Sequence, residues 1–127
     1  MTNKTLYWIE MAEYDLETAR AMLQTGRYLY VGFMCHQVIE KTLKAVVANN
    51  NKIPPYIHNL SRLAEISGIY IQLDGIQKDL LDSLEPLNIQ ARYPEDKERL
   101  FQMLDFKRCS ELLTQTEELY QWIKATL

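Results

Sequence analysis

Residues 28–48 read YLYVGFMCHQVIEKTLKAVVA, and the spacing of their apolar members decides the fold. Val31, Met34, Cys35, Val38, Ile39, Leu43, Val46 and Val47 recur at intervals of three and four, the inward face of a helix. Asn49-Asn50-Asn51 and then Pro54-Pro55 break it. Upstream, Leu6, Ile9, Ala12, Leu16, Ala19 and Leu23 form a second such stripe, closed by Gly26 as a left-handed cap. Downstream, Asn59 predicts the N-cap of a short helix over Leu60–Ser67 ended by Gly68. Residues 69–73 alternate like a strand but have no partner, so they read as an extended link. A fourth helix is expected near Ile76–Leu84, stopping about Pro86. Asp105 is the expected N-cap of a last helix over Phe106–Ala125, with Cys109, Leu112, Leu113, Thr116, Leu119, Tyr120 and Ile123 on one side. The charged piece 95–104 reads as a loose helical turn.

No linker, repeat or low-complexity tract divides the 127 residues, so a single helical domain over 1–127 is expected. Long helices with short connectors predict an all-α fold, an antiparallel up-and-down bundle of four to five helices. Trp8, Met11 and Met22 give the first helix a second apolar set, which fits either a broad core or a dimer seam. No apolar run approaches the roughly 20 residues that cross a bilayer. The N-terminus leads straight into an amphipathic pattern without a signal peptide. Cys35 and Cys109 fall in apolar helical settings and read as buried thiols. A cytoplasmic protein without membrane contact is the simplest expectation.

The net charge is −3, which argues against a general nucleic-acid coat. The charge is uneven, however: residues 27–62 carry Arg27, Lys41, Lys44, Lys52 and Arg62 against Glu40 alone. A basic strip on an acidic body suits a nucleotide, a short RNA or an acidic partner, and also an ordinary solvated helix face. His36, Glu40 and Lys44 recur every fourth residue and share one row, flanked by Gln37 and Lys41. A histidine one turn from a glutamate is a tunable acid–base pair, with the lysine beyond as a phosphate contact. A plain solvent-facing i,i+4 network has the same spacing. His58 precedes a helix start, where it meets a bound anion or only shapes the turn. Arg92 precedes Tyr93-Pro94, a rigid turn that presents a guanidinium to a phosphate or ties down the loop.

Other chemistries drop out. The glycines lie singly at 26, 32, 68 and 75, so there is no phosphate-binding glycine loop. No His/Cys group has zinc spacing and no nucleophile motif is present, so neither metal nor cofactor is expected. The eight tyrosines include Tyr7, Tyr14, Tyr28, Tyr30 and Tyr120 at helix positions, where packing is the commoner role.

The ordered set CHQVIEKTLKA (35–45), HNLSRL (58–63) and ARYP (91–94), with helices before, between and after, resembles the HEPN domain family from about Tyr7 to Ile123. Gln37, Glu40, Lys41, Lys44, His58, Leu60 and Ala91-Arg92-Tyr93-Pro94 carry the resemblance. It implies a helical bundle, often dimeric, tied to nucleotide or RNA biology and frequently paired with a minimal nucleotidyltransferase, sometimes as its toxin. Ribonuclease members use an arginine followed, after four to six residues, by histidine. That motif is absent, since Arg27 precedes His36 by nine positions and no arginine lies five to seven before His58. The expected function is therefore a nucleotide- or partner-binding module acting with a nucleotidyltransferase. The alternative is a metal-independent ribonuclease using His36 or His58 with Arg92. Either requires His36, Lys44, His58 and Arg92 to converge on one groove, with Gln37, Glu40, Lys41 and Tyr93 around it. His36 and Lys44 stand roughly 12 Å apart along the helix, so His36 and Arg92 are expected to form the inner pair and the lysines to steer.

Overall fold

The computed structural model describes residues 1–127 apart from Arg92 and the side chain of Ala91. Six α-helices follow one another: α1 (Asn3–Gln24), α2 (Tyr28–Asn49), α3 (Leu60–Ser67), α4 (Gly75–Leu84), α5 (Pro94–Met103) and α6 (Phe106–Lys124). No strand occurs among the described residues, so the fold is all-α as expected, with one helix more than the sequence suggested.

Local chemistry fixes the helix ends. Thr2 accepts from the Thr5 N–H and opens α1. The Gly26 backbone is left-handed, with φ of 74°, and turns the chain into α2. Asn59 accepts from the Arg62 N–H at 2.8 Å, and Gly68 closes α3 at φ 83°. Asp74 and Gln77 form a reciprocal capping box on α4. Asp105 accepts from the Arg108 N–H at 2.8 Å and starts α6. Replacing Asn59 or Asp105 by alanine should each cost about 1 kcal/mol. A lower urea midpoint with an unchanged slope is the expected reading.

Two stretches depart from the sequence reading. Residues 69–73 are not an extended link but contain a 3₁₀ turn at Tyr70–Gln72. Ile69 and Leu73 are both buried, a spacing that an extended segment would also place on one side. Residues 95–104 are not a loose turn either. Pro94 takes the first position of a regular helix, where its fixed φ and missing N–H do no harm.

Helix α2 is the centre of the molecule. It packs against α1, α6 and α3 and has buried residues on nearly every side from Val31 to Ala48. Arg20 meets Glu117 while Glu13 meets Lys124, so α6 runs antiparallel to α1. Trp8 and Met22 pack onto the core, so most of the second apolar set of α1 belongs to a broad core. Gly32 lets the connector after α4 approach closely: a β-carbon there would lie 3.2 Å from Leu87 Cδ1 and 3.3 Å from Leu104 Cδ1. That approach lays Leu87 and Leu104 over the first half of α2. Both cysteines are buried free thiols, as expected. Tyr28 and Tyr120 pack, whereas Tyr7, Tyr14 and Tyr30 are exposed, contrary to the packing expected of helical tyrosines.

Candidate functional site

The helical repeat of four places His36, Glu40 and Lys44 in one row, and the fold buries that row. Their overall exposures are 0%, 4% and 5%. A carboxylate and an ammonium withdrawn from water are tolerable only if paired, and Glu40 supplies the pairing. Its Oε2 accepts from Lys44 Nζ at 3.3 Å, and its Oε1 lies 3.0 Å from His58 Nδ1. His36 Nδ1 stands 3.9 Å from the same Oε1. The Lys44 ammonium also sits 5.6 Å from the Trp8 ring centroid. One turn along, Lys41 Nζ donates to Asp15 Oδ2 across the α1–α2 seam.

The row is thus not the solvent-facing network that its spacing also allowed. Lys44 is sealed in the interior and Lys41 is held by Asp15, so neither is a free steering charge. The roughly 12 Å separation of His36 from Lys44 is bridged by Glu40, which both approach from opposite ends.

His58 stands at the surface, with its side chain 62% exposed. A carboxylate can only accept, so Nδ1 carries the proton and donates to Glu40. In the neutral ring the lone pair is then on Nε2. His36 is the opposite case. Its Nδ1 lies 3.3 Å from Gln37 Oε1, and its Nε2 has no hydrogen-bond partner among the described residues. Burial pushes its proton affinity below the usual histidine value, against the Gln37 bond, the Glu40 and Glu85 charges and the His58 backbone carbonyl.

The start of α3 is already occupied by the protein's own groups. Glu85 Oε2 accepts from the Leu60 N–H at 2.9 Å, and Asn59 takes the Arg62 N–H. These bonds use N–H groups at the helix end where the sequence allowed His58 either to meet a bound anion or only to shape the turn. Arg92 lies outside the described residues, so its expected pairing with His36 does too. Tyr93 is exposed and forms the N-cap of α5 without a side-chain bond.

Three residues of this network escape motif reading: Asp15, Trp8 and Glu85. Asp15 had a signal, an acid set between Ala12, Leu16 and Ala19 at core-facing spacing. Glu85 had none. A depression of about 440 Å³ lies between α1 and α6, lined by Glu10, Glu13, Glu17, Arg20 and Tyr120, and another of about 260 Å³ by Pro86, Arg99, Leu100 and Met103. His58 lines neither. No cluster of three or more metal-ligating side chains occurs among the described residues, and no described helix is long and apolar enough to cross a membrane.

A six-helix bundle whose second helix buries a His–Glu–Lys row under a histidine-bearing loop defines a helical module of one kind. The chain belongs to the HEPN domain family, whose model matches residues 5–126. The crystal structure of TT1696 from Thermus thermophilus is similar at a TM-score of 0.84 and 18% identity, over 99% of this chain and 100% of that one. ST0689, described as an archaeal HEPN homologue, gives 0.68 and 22%, covering 98% of each chain. At these identities the likeness is one of fold. No curated protein matches the chain.

Proposed function

We propose that the chain is a nucleotide- or partner-binding module that works as a homodimer with a minimal nucleotidyltransferase, in a toxin–antitoxin-like pair. The observation that carries this reading is the His58 imidazole, exposed yet held by the buried Glu40 carboxylate. A ring so fixed loses little freedom on meeting a phosphate or an acidic side chain, which favours binding. Family membership supports the type of partner. For self-association the support is the exposed apolar corner between α5 and α6, where Phe101, Met103 and Phe106 are all more than half exposed.

The test is a thermal-shift series against nucleotides and short RNAs, with co-purification against any minimal nucleotidyltransferase found encoded beside the chain. A ligand at about 100 times its Kd adds roughly 2.7 kcal/mol of apparent stability. His58→Ala and Arg92→Ala should each remove that gain while leaving the ligand-free melt nearly in place. Unchanged binding in both variants would contradict the reading.

The Nε2 lone pair of the exposed His58 ring favours a second reading, a metal-independent ribonuclease with His58 as general base. Cleavage of RNA in chelator, abolished by His58→Ala, would select it over simple binding.

A further inference from the structure

Within the network around Glu40, the described residues leave one ring nitrogen, Nε2 of His58, at the surface. A side-chain nucleophile needs an exposed attacking atom, a fixed orientation and a neighbour that stabilises the charge formed on bonding. His58 has all three. Its ring is 62% exposed, its Nδ1 is anchored 3.0 Å from Glu40 Oε1, and Glu40 is only 5% exposed. The carboxylate cannot swing away, because Lys44 Nζ holds its other oxygen at 3.3 Å. The line from Lys44 through Glu40 to His58 therefore runs from the interior to water.

Both cysteines, Tyr120 and His36 are closed off. Burial pushes the Cys35 thiol up to about 12 and the Cys109 thiol up to about 11. The Tyr120 hydroxyl is buried and donates to Glu13 at 2.6 Å. His36 shares the Glu40 carboxylate but is fully enclosed.

We propose that His58 Nε2 is a phosphoryl acceptor, taking its group from a donor of the phosphoramidate class, such as phosphoramidate itself or the phosphohistidine of another protein. The Nε2 lone pair forms a bond to phosphorus. The donor's P–N bond breaks and its electron pair leaves on nitrogen, as ammonia from N-protonated phosphoramidate or as a neutral imidazole from ring-protonated phosphohistidine, the donor supplying that proton. Nδ1 keeps its proton throughout, and the positive charge that the ring acquires is met by the Glu40 carboxylate. His58 lines neither of the depressions described above, so the imidazole stands where a second macromolecule can reach it. The inference goes beyond the binding reading and does not depend on it.

The experiment treats the full chain with phosphoramidate alone and follows phosphorus NMR and peptide mass mapping. N-acetylhistidine methylamide under the same conditions supplies the rate of an unassisted ring. One acid-labile phosphoryl group on His58 is expected, formed about tenfold faster than on the free amide. His36→Phe should keep that rate, His58→Ala should take up none, and Glu40→Gln should fall back to the rate of the amide. No phosphoryl group on His58, or a rate equal to that of the amide in the unaltered chain, would overturn the proposal. Should Glu40→Gln fail to fold, the comparison with the amide decides alone. Nucleotide thermal shifts read the binding reading separately, so either can fail without the other.

Discussion

Lys44→Met is expected to cost about 3–5 kcal/mol of folding stability, the largest single effect of any change in the cluster. The side chain is 7% exposed and its partner Glu40 is 5% exposed. Methionine fills a similar space against Trp8 but leaves the carboxylate in the interior facing two imidazoles and no permanent cation. The penalty is that of an unpaired buried charge, larger than what the pair itself contributes. Combining Lys44→Met with Glu40→Gln removes both charges and should return most of the loss. Urea titration of the two single variants and the double variant gives the coupling directly. Losses that simply add would mean that the two residues do not act as a pair.

The second large effect is a loss of stability in mild acid that depends on His36. The ring is buried and neutral in the fold, and burial lowers its proton affinity from the ordinary value of 6.5. The unfolded chain therefore binds a proton more readily than the native one. Stability is full above about pH 6.5 and falls as the pH drops below it towards the native value, by up to about 1.4 kcal/mol per pH unit. Glu40 and Glu85 moderate this slope without reversing its sign, since desolvation is the largest cause. His36→Phe should flatten the curve between about pH 6.5 and 5, where ordinary carboxylates begin to titrate. An unaltered slope in that variant would place the acid sensitivity elsewhere.

Much of the scaffold was legible because short-range chemistry writes it. Asn59 with Gly68, and Asp105 with the stripe from Cys109 to Ile123, set the limits of α3 and the start of α6 through single side-chain bonds and one glycine. Such signals act within four residues and survive without tertiary context. The 69–73 segment misled because Ile69 and Leu73 are buried through a 3₁₀ turn, which shares its apolar spacing with several conformations. The depth of the His36–Glu40–Lys44 row was missed for another reason. Lys and Glu are seldom buried unless paired, and here the enclosure comes from the distant loop that carries His58 and from α1. A faint sign was present all the same: the row begins one turn after Gly32, a position with no side chain, where Leu87 and Leu104 close over the helix.

Residue type alone also separates the two histidines poorly. Both were candidates for the same task, yet one is enclosed with Nε2 unpartnered among the described residues and the other stands at the surface. Glu40 links them, and it turns a stability element, the buried ion pair with Lys44, into a positioning element for His58. Stability and site chemistry therefore share one carboxylate, so variants at Glu40 should disturb both, whereas His58→Ala should disturb the chemistry alone.

The central claim is that buried Glu40 fixes the ring of His58 with its proton on Nδ1. Long-range proton–nitrogen NMR of imidazole-labelled protein, at a pH where both rings are neutral, reads the tautomer without any ligand. The His58 ring should carry its proton on Nδ1 and a bare Nε2, the reverse of the tautomer that free histidine prefers in water, and Glu40→Gln should weaken that preference. A His58 ring protonated on Nε2, as in free histidine, would contradict the account.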